Sequence, residues 1–177
     1  MLIVLTGGAR SGKSRAAMKI ALSKATHPSL IATAIPGDDE EMLERIELHR
    51  ANRTSQWNVI EEPIEISKSL EDLHLDEVVV IDCISIWIAN QIENVSDEKI
   101  FSMLDDLIRI SSKRSGLTIL VTNEVGSGIV PISFLGRRFR DILGFANQKL
   151  VDNADHSFFV VAGKKIPLDD LDYEITD

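Results

Sequence analysis

The string Gly7-Gly8-Ala9-Arg10-Ser11-Gly12-Lys13-Ser14 constrains this chain more than any other feature. Its spacing is G-x-x-x-x-G-K-[ST]. The apolar run Leu2-Ile3-Val4-Leu5-Thr6 precedes it, and the helix-forming run Arg15-Ala16-Ala17-Met18-Lys19-Ile20-Ala21-Leu22 follows. Strand, glycine loop and helix in that order are the context in which this spacing makes a phosphate site. The glycines let the backbone curl until successive N–H groups face one anion, and the helix N-terminus adds its dipole. In such a loop Lys13 reaches the β- and γ-phosphates, and the Ser14 hydroxyl takes a place on Mg²⁺. The expectation is a nucleoside triphosphate site opening an α/β domain.

Composition narrows the partners. The net charge of −9 argues against a general nucleic-acid or acidic-membrane binder, because attraction to phosphates needs a basic surface. At 177 residues and 44% hydrophobic, residues 1–177 read as a single domain with a real core. The single cysteine, Cys83, lies in an apolar stretch, so a disulfide framework within the chain is excluded. No apolar run approaches the roughly 20 residues of a membrane span, and the first residues read as a core strand rather than a leader. A reducing cytoplasm is the expected location.

Past the first helix, Leu30-Ile31-Ala32-Thr33-Ala34 reads as a buried strand ending at Pro36-Gly37. Asp38, Asp39, Glu40 and Glu41 open a helix running to about Arg53, since acidic residues suit a first turn. Trp57–Glu61 reads as a strand stopped by Pro63, and Ile66, Leu70 and Leu73 mark a short helix. Val78-Val79-Val80-Ile81-Asp82 is a β-branched run of the kind that forms a central parallel strand. Ser96 caps a longer helix whose stripe is Ile100, Phe101, Leu104, Leu107 and Ile108. Leu117–Thr122 is the next strand, about 133–154 a helix, and Phe158–Ala162 a last strand before Gly163. The acidic tail, about 169–177, is expected to be exposed or frayed. Repeated strand–helix units predict a P-loop NTPase-like three-layer sandwich, a mostly parallel sheet with helices on both faces. Ligands in such folds bind beyond the carboxyl ends of the strands.

Asp82 ends the buried run, where P-loop proteins place the acidic residue that holds Mg²⁺ or its waters. Cys83 beside it reads as core, since nothing near it in sequence would lower its pKa. Arg45, His49 and Asn52/Arg53 recur three to four apart and share a helical face. Such a face either binds phosphates or offers an imidazole that attacks phosphorus. Spacing leaves open a solvated face paired with Glu41, Glu44 and Glu47. His27, His74 and His156 carry no signal of their own. Thr122-Asn123-Glu124-Val125-Gly126-Ser127-Gly128-Ile129-Val130-Pro131 is either a backbone approach to a ligand or a structural loop. Arg137, Arg138 and Arg140 with Asp141 leave a charged surface and an anion site equally open.

Taken together, these residues resemble the bifunctional adenosylcobinamide kinase / adenosylcobinamide-phosphate guanylyltransferase family. The likeness runs from Thr6 to about Gly163 and rests on Thr6–Arg15, Ile31–Ala34, Met42-x-x-Arg45-Ile46-x-x-His49-Arg50 and Trp57 to Glu61. Asp82-Cys83, Thr122–Gly126 with Gly128–Pro131, Arg138–Asp141, Gly144, Asn147-Gln148 and Val160–Gly163 complete it. The histidine helix and the T-N-E-V-G-x-G-I-V-P string make it specific. The resemblance implies two reactions at one nucleotide site: γ-phosphoryl transfer from ATP or GTP to adenosylcobinamide, then GMP transfer from GTP to adenosylcobinamide phosphate. It makes His49 the GMP carrier, with Lys13 and Asp82 as further catalytic residues. Nucleotide contacts map onto Gly7 through Ser14, Ala32, Thr33, Ala34, Arg50, Ala51, Asn52, Arg53, Glu61 and Asp82. Mg²⁺ maps onto Ser14 and Asp82, and the implied assembly is a homotrimer. Thr54 stands where the family often has proline, and the acidic tail extends past the usual ending.

Two other classes compete. A guanine-nucleotide switch without small-molecule chemistry would carry an N-K-x-D string, and none occurs. A simple metabolite kinase would use the phosphate loop and Asp82 with no covalent step.

Overall fold

A computed structural model of the chain describes residues 1–34 and 56–169. The helix expected over about 38–53 lies outside the described residues, with Arg45, His49, Arg50, Ala51, Asn52 and Arg53, as does the tail from residue 170.

Seven strands form one sheet: β1 (Leu2–Thr6), β2 (Ser29–Ala32), β3 (Asn58–Glu61), β4 (Val79–Asp82), β5 (Thr118–Val121), β6 (His156–Val161) and β7 (Lys164–Pro167). Their spatial order is β3-β2-β4-β5-β1-β6-β7. All neighbouring pairs are parallel except β6 with β7. β1, β2 and β5 are buried along their whole length, as expected for strands covered on both faces.

Five described helices accompany the sheet: α1 (Lys13–Leu22), α2 (Ile66–Glu71), α3 (Ile84–Ala89), α4 (Asp97–Lys113) and α5 (Phe134–Asp152). α2, α3, α4 and α5 pack a large apolar cluster on one face, including Ile66, Leu70, Trp87, Ile100, Leu104, Leu143 and Leu150. α1 places Ala17 and Ala21 against Leu5, Val80 and Ile119 on the other. These small residues let the helix that follows the phosphate loop lie close to the central strands. The cap expected at Ser96 is present, and a second stands at Ser133. Ser96 Oγ accepts from the Lys99 N–H at 3.4 Å, and Ser133 Oγ from the Gly136 N–H at 3.1 Å.

Two elements depart from expectation. α3 is a helix in Ile84-Ser85-Ile86-Trp87-Ile88-Ala89, a stretch so uniformly apolar that it carries no helical contrast. Trp87 is buried there, its indole N–H donating to the Ile64 carbonyl at 2.8 Å. β7 is an exposed edge strand with two lysines and a proline, placements that edges tolerate. It returns from β6 through Ala162 (φ 50°) and Gly163 (φ 75°), two successive positive φ angles of the kind that suit a tight hairpin. The start of the acidic tail is tied down rather than loose: Asp169 accepts from the Ser157 N–H and hydroxyl, each at 2.7 Å.

Candidate functional site

The parallel strands end on one side of the sheet, and their register brings three of the expected residues into a row. Ala32 on β2 pairs with Glu61 on β3 and with Asp82 on β4, and Asp82 pairs in turn with Val121 on β5. Beyond β5 comes β1, whose carboxyl end leads directly into the phosphate loop.

That loop is shaped by backbone that only some residues adopt. Gly7 (φ 145°), Arg10 (φ 55°) and Gly12 (φ 102°) all have positive φ. A Cβ on Gly7 would stand 2.2 Å from the Val160 carbonyl oxygen, so the loop crosses β6 at a distance that excludes any side chain. Gly12 forms the N-cap of α1 and offers no side-chain acceptor to the first turn, which contains no acidic residue. The opening N–H groups of α1 therefore lack a carboxylate or hydroxyl cap, the condition in which a helix N-terminus suits an anion. Lys13 is 6% exposed and folds back over the loop, its ammonium donating to the Gly7 carbonyl at 2.8 Å and the Gly8 carbonyl at 2.6 Å. Neighbouring elements brace the loop: the Glu124 N–H donates to the Gly7 carbonyl and the Gly163 N–H to the Ser11 carbonyl, both at 2.9 Å.

A cavity of ≈ 740 Å³ opens above these strand ends. Ala9 through Arg15 form one wall, Asp82, Cys83 and Ile86 another, and Val121, Asn123, Ala162 and Gly163 close it. Lys13, Ser14 and Asp82, which the sequence places far apart, thus share one space. Gly7 and Gly8 shape the loop beneath it. Burial, reinforced by the neighbouring Asp82 charge, pushes the Cys83 thiol up to about 11. It stays protonated at neutral pH, and a buried neutral thiol is core rather than nucleophile.

Thr33 is fully buried, and its hydroxyl is spent on the backbone of Cys83. It accepts from that N–H and donates to that carbonyl, both at 2.8 Å. It acts as a clasp between the ends of β2 and β4. Ala34 is half-buried beside it, and Glu61 stands exposed at the end of β3. Among the described residues no group of three or more His, Cys, Asp or Glu side chains gathers to hold a metal.

Of the arginines that spacing left ambiguous, two have architectural roles, and the third, Arg140, pairs at 3.0 Å with its neighbour Asp141. Arg138 donates to Asp97 Oδ1 at 2.8 Å, to the Val95 carbonyl at 2.8 Å and to the Ile92 carbonyl, tying α5 to the turn before α4. Arg137 donates to the Pro131 and Ile132 carbonyls at 3.1 and 2.5 Å, closing the loop after β5. Sequence reasoning passed over Ser85 and gave Asn147 no role beyond the resemblance; the two hold Asn123 in place. Their partners lie 38 and 24 residues away, beyond any local pattern.

Comparison with known proteins gives a consistent answer. A family model described as cobinamide kinase / cobinamide phosphate guanyltransferase matches residues 3–168. The chain is 35% identical over 166 residues to the bifunctional adenosylcobalamin biosynthesis protein CobP of Pseudomonas aeruginosa, covering 93% of this chain and 95% of that protein. It is 36% identical over 177 residues to the protein CobU of Escherichia coli, named likewise, covering 92% and 97%. Among solved structures, the flagellar accessory protein FlaH of Methanocaldococcus jannaschii aligns with a TM-score of 0.50 over 93% of this chain and 74% of that one. At 15% identity this is a likeness of fold alone. No described helix is long and apolar enough to cross a membrane. The chain therefore belongs to the cobinamide kinase / cobinamide phosphate guanyltransferase family and is an enzyme of the transferase class, its phosphate loop and Asp82 meeting on one cavity.

Proposed function

We propose that this chain phosphorylates adenosylcobinamide with ATP or GTP, then transfers GMP from GTP by way of a guanylylated His49 to give adenosylcobinamide-GDP in cobalamin biosynthesis. The observation that carries this reading is the uncapped start of α1, with Lys13 and Asp82 on the same cavity, in a chain of this family.

In the first reaction the acceptor hydroxyl oxygen bonds to the γ-phosphorus while the bond to the β–γ bridging oxygen breaks. The nucleoside diphosphate leaves, and the hydroxyl proton passes to solvent. The protein's task in such a transfer is positioning and charge stabilisation. The Lys13 ammonium, which now bonds the Gly7 and Gly8 carbonyls, exchanges them for phosphate oxygens, a stronger charge-assisted contact. Ser14 and Asp82 put a hydroxyl and a carboxylate on two walls of the same cavity, the hard oxygen donors that suit Mg²⁺ when phosphates and water complete its shell. Those two residues would hold the ion, and its chemistry there is to offset phosphate charge.

In the second reaction an imidazole nitrogen of His49 attacks the α-phosphorus of GTP and pyrophosphate leaves. A phosphate oxygen of adenosylcobinamide phosphate then displaces the histidine. A covalent carrier divides one transfer between two anions into two easier steps. Arg50 and Arg53, adjacent in sequence, supply charge to the transferring group. Ala32, Ala34 and Glu61 complete the nucleotide contacts on the β2–β3 side, with Thr33 buried behind them and bonded to Cys83. The expected assembly is a homotrimer, which sedimentation velocity of the purified chain tests.

The decisive experiment supplies the purified protein with adenosylcobinamide and each triphosphate, then repeats it with [α-³²P]GTP. The expected result is adenosylcobinamide-GDP together with an acid-labile, base-stable label on His49. His49→Ala should lose guanylylation and keep kinase activity. Normal formation of adenosylcobinamide-GDP by His49→Ala, or label on another residue, would refute the covalent step.

A further inference from the structure

β5 separates β1 from β4. Whatever leaves its carboxyl end therefore stands between the phosphate loop and Asp82. The residue so placed on the cavity wall is Asn123. Its backbone is fixed on both sides: the Thr122 N–H donates to the Leu5 carbonyl and the Glu124 N–H to the Gly7 carbonyl, each at 2.9 Å. Asn147, on α5, donates its Nδ2 to the Asn123 carbonyl at 2.8 Å and accepts the Thr122 hydroxyl at 2.7 Å. The side chain is fixed as well. Asn123 Nδ2 donates to Ser85 Oγ at 2.9 Å, and Ser85 Oγ lies 3.0 Å from Cys83 Sγ.

A carboxamide carries two N–H donors and an acceptor oxygen. Ser85 takes one N–H. Among the described residues the second N–H and the Oδ1 have no protein partner, although the amide is half-buried and on the cavity wall. A polar group held by residues of β1, α3, α5 and the phosphate loop, with a donor left over, is a preorganised contact awaiting a ligand.

We propose that Asn123 is a catalytic residue of γ-phosphoryl transfer, its second N–H donating to an oxygen of the γ-phosphoryl group, and that Ser85 and Asn147 are positioning residues that aim it. This rests on the reading of the cavity as a triphosphate site. A triphosphate cradled by the loop carries its terminal group to the side where the acidic residue stands, because Ser14 and that residue share the ion at the β- and γ-phosphates. Asn123 is the uncharged donor on that side. In γ-phosphoryl transfer it touches the group whose oxygens spread the charge of the transition state. In guanylyl transfer the bond that breaks joins the α- and β-phosphates, and Asn123 touches only the far end of the departing pyrophosphate. The two reactions should therefore depend on it unequally.

Single-turnover rates of phosphorylation and of guanylylation, measured separately, test this. Asn123→Asp keeps the shape, and the Ser85 hydroxyl can donate to the new carboxylate, but a negative charge now faces the γ-phosphoryl group. Phosphorylation is expected to fall on the order of 100-fold or more, and guanylylation by less than roughly tenfold, since its reacting bond is remote. Asn123→Ala should slow phosphorylation roughly 10- to 100-fold, the range for losing a hydrogen bond to a charged group. Ser85→Ala should cost less and act on kcat rather than KM, because the amide remains but is no longer aimed. Thermal melting of each variant reports its fold. Phosphorylation by Asn123→Asp within about threefold of wild type, or parallel loss of both reactions in a folded variant, overturns the proposal and leaves Asn123 structural. A wild-type protein with no phosphorylation overturns the triphosphate reading and this inference with it.

Discussion

The loops after β1 and β5 leave neighbouring parallel strands on the same side of the sheet, and both contain glycine. They nevertheless end in opposite surroundings. The first is pressed against β6, covered by its own buried lysine and bonded to the backbone of Glu124 and Gly163. The second, from Gly126 to Ser133, is held by its own neighbours: Glu124 Oε1 accepts the Gly126 and Ser127 N–H groups at 2.6 and 3.1 Å, and Arg137 closes the far end. Its apolar side chains face outward, with Ile129 97% and Ile132 98% exposed. Glycine in the first loop answers a crossing of backbones, where volume is forbidden. In the second it serves a local turn: a Cβ on Gly128 would meet the Val125 carbonyl oxygen at an ordinary 3.7 Å, and one on Gly126 only the movable Glu124 carboxylate, at 2.9 Å. The same residue type thus predicts opposite tolerance to substitution.

The comparison breaks if Gly7→Ala is mild. Its Cβ would meet a backbone oxygen at 2.2 Å, at a φ that L residues resist, so a stability loss of about 3 kcal/mol or more is expected in chemical denaturation. A loss under about 1 kcal/mol would show that the loop yields. Lys13→Ala comes next and acts on ligand rather than fold. GTP affinity should fall roughly 10- to 100-fold by calorimetry, the range for a charge-assisted contact. Undiminished affinity would place the nucleotide elsewhere. Glu124→Ala tests how the second loop is held. Losing an acceptor for two N–H groups should cost about 1 kcal/mol and speed proteolysis within 126–133. GTP affinity should stay near wild type, since the bond to Gly7 uses the backbone of Glu124. Smallest of all, Ile129→Ser and Ile132→Ser should each shift stability by no more than about 0.5 kcal/mol. A larger drop in Tm would mean that these side chains pack against something in solution.

Much of this arrangement is legible in the order of the residues alone. β1, β4 and β5 are runs of β-branched and leucine residues, and the phosphate loop is written in consecutive residues. Local order of this kind survives projection onto one dimension. α3 is hidden for the opposite reason: Ile84–Ala89 is apolar on every side, so no period separates helix from strand. β7 is hidden because an exposed edge strand has no face to bury. At the site, Thr33 illustrates the remaining gap. Its place among the residues expected to contact nucleotide is readable, but that its hydroxyl is occupied by Cys83 follows only once β2 and β4 are adjacent. Asn123 is similar. The sequence shows a polar residue after a strand, whereas its aim depends on Ser85 and Asn147.

The position of β1 has a consequence for how this protein is made. Leu2 pairs with Thr118 and Ile3 with His156, so this strand, once it leaves the ribosome, waits for partners more than a hundred residues downstream. At about 5–20 residues per second, the nascent chain carries an unpaired apolar segment for roughly 5 to 30 seconds. The bond from Gly163 to Ser11 needs the last hairpin as well. The phosphate loop is therefore completed only once β6 and the turn at Gly163 have been made, and a ribosome that stalls before β6 leaves it without its floor.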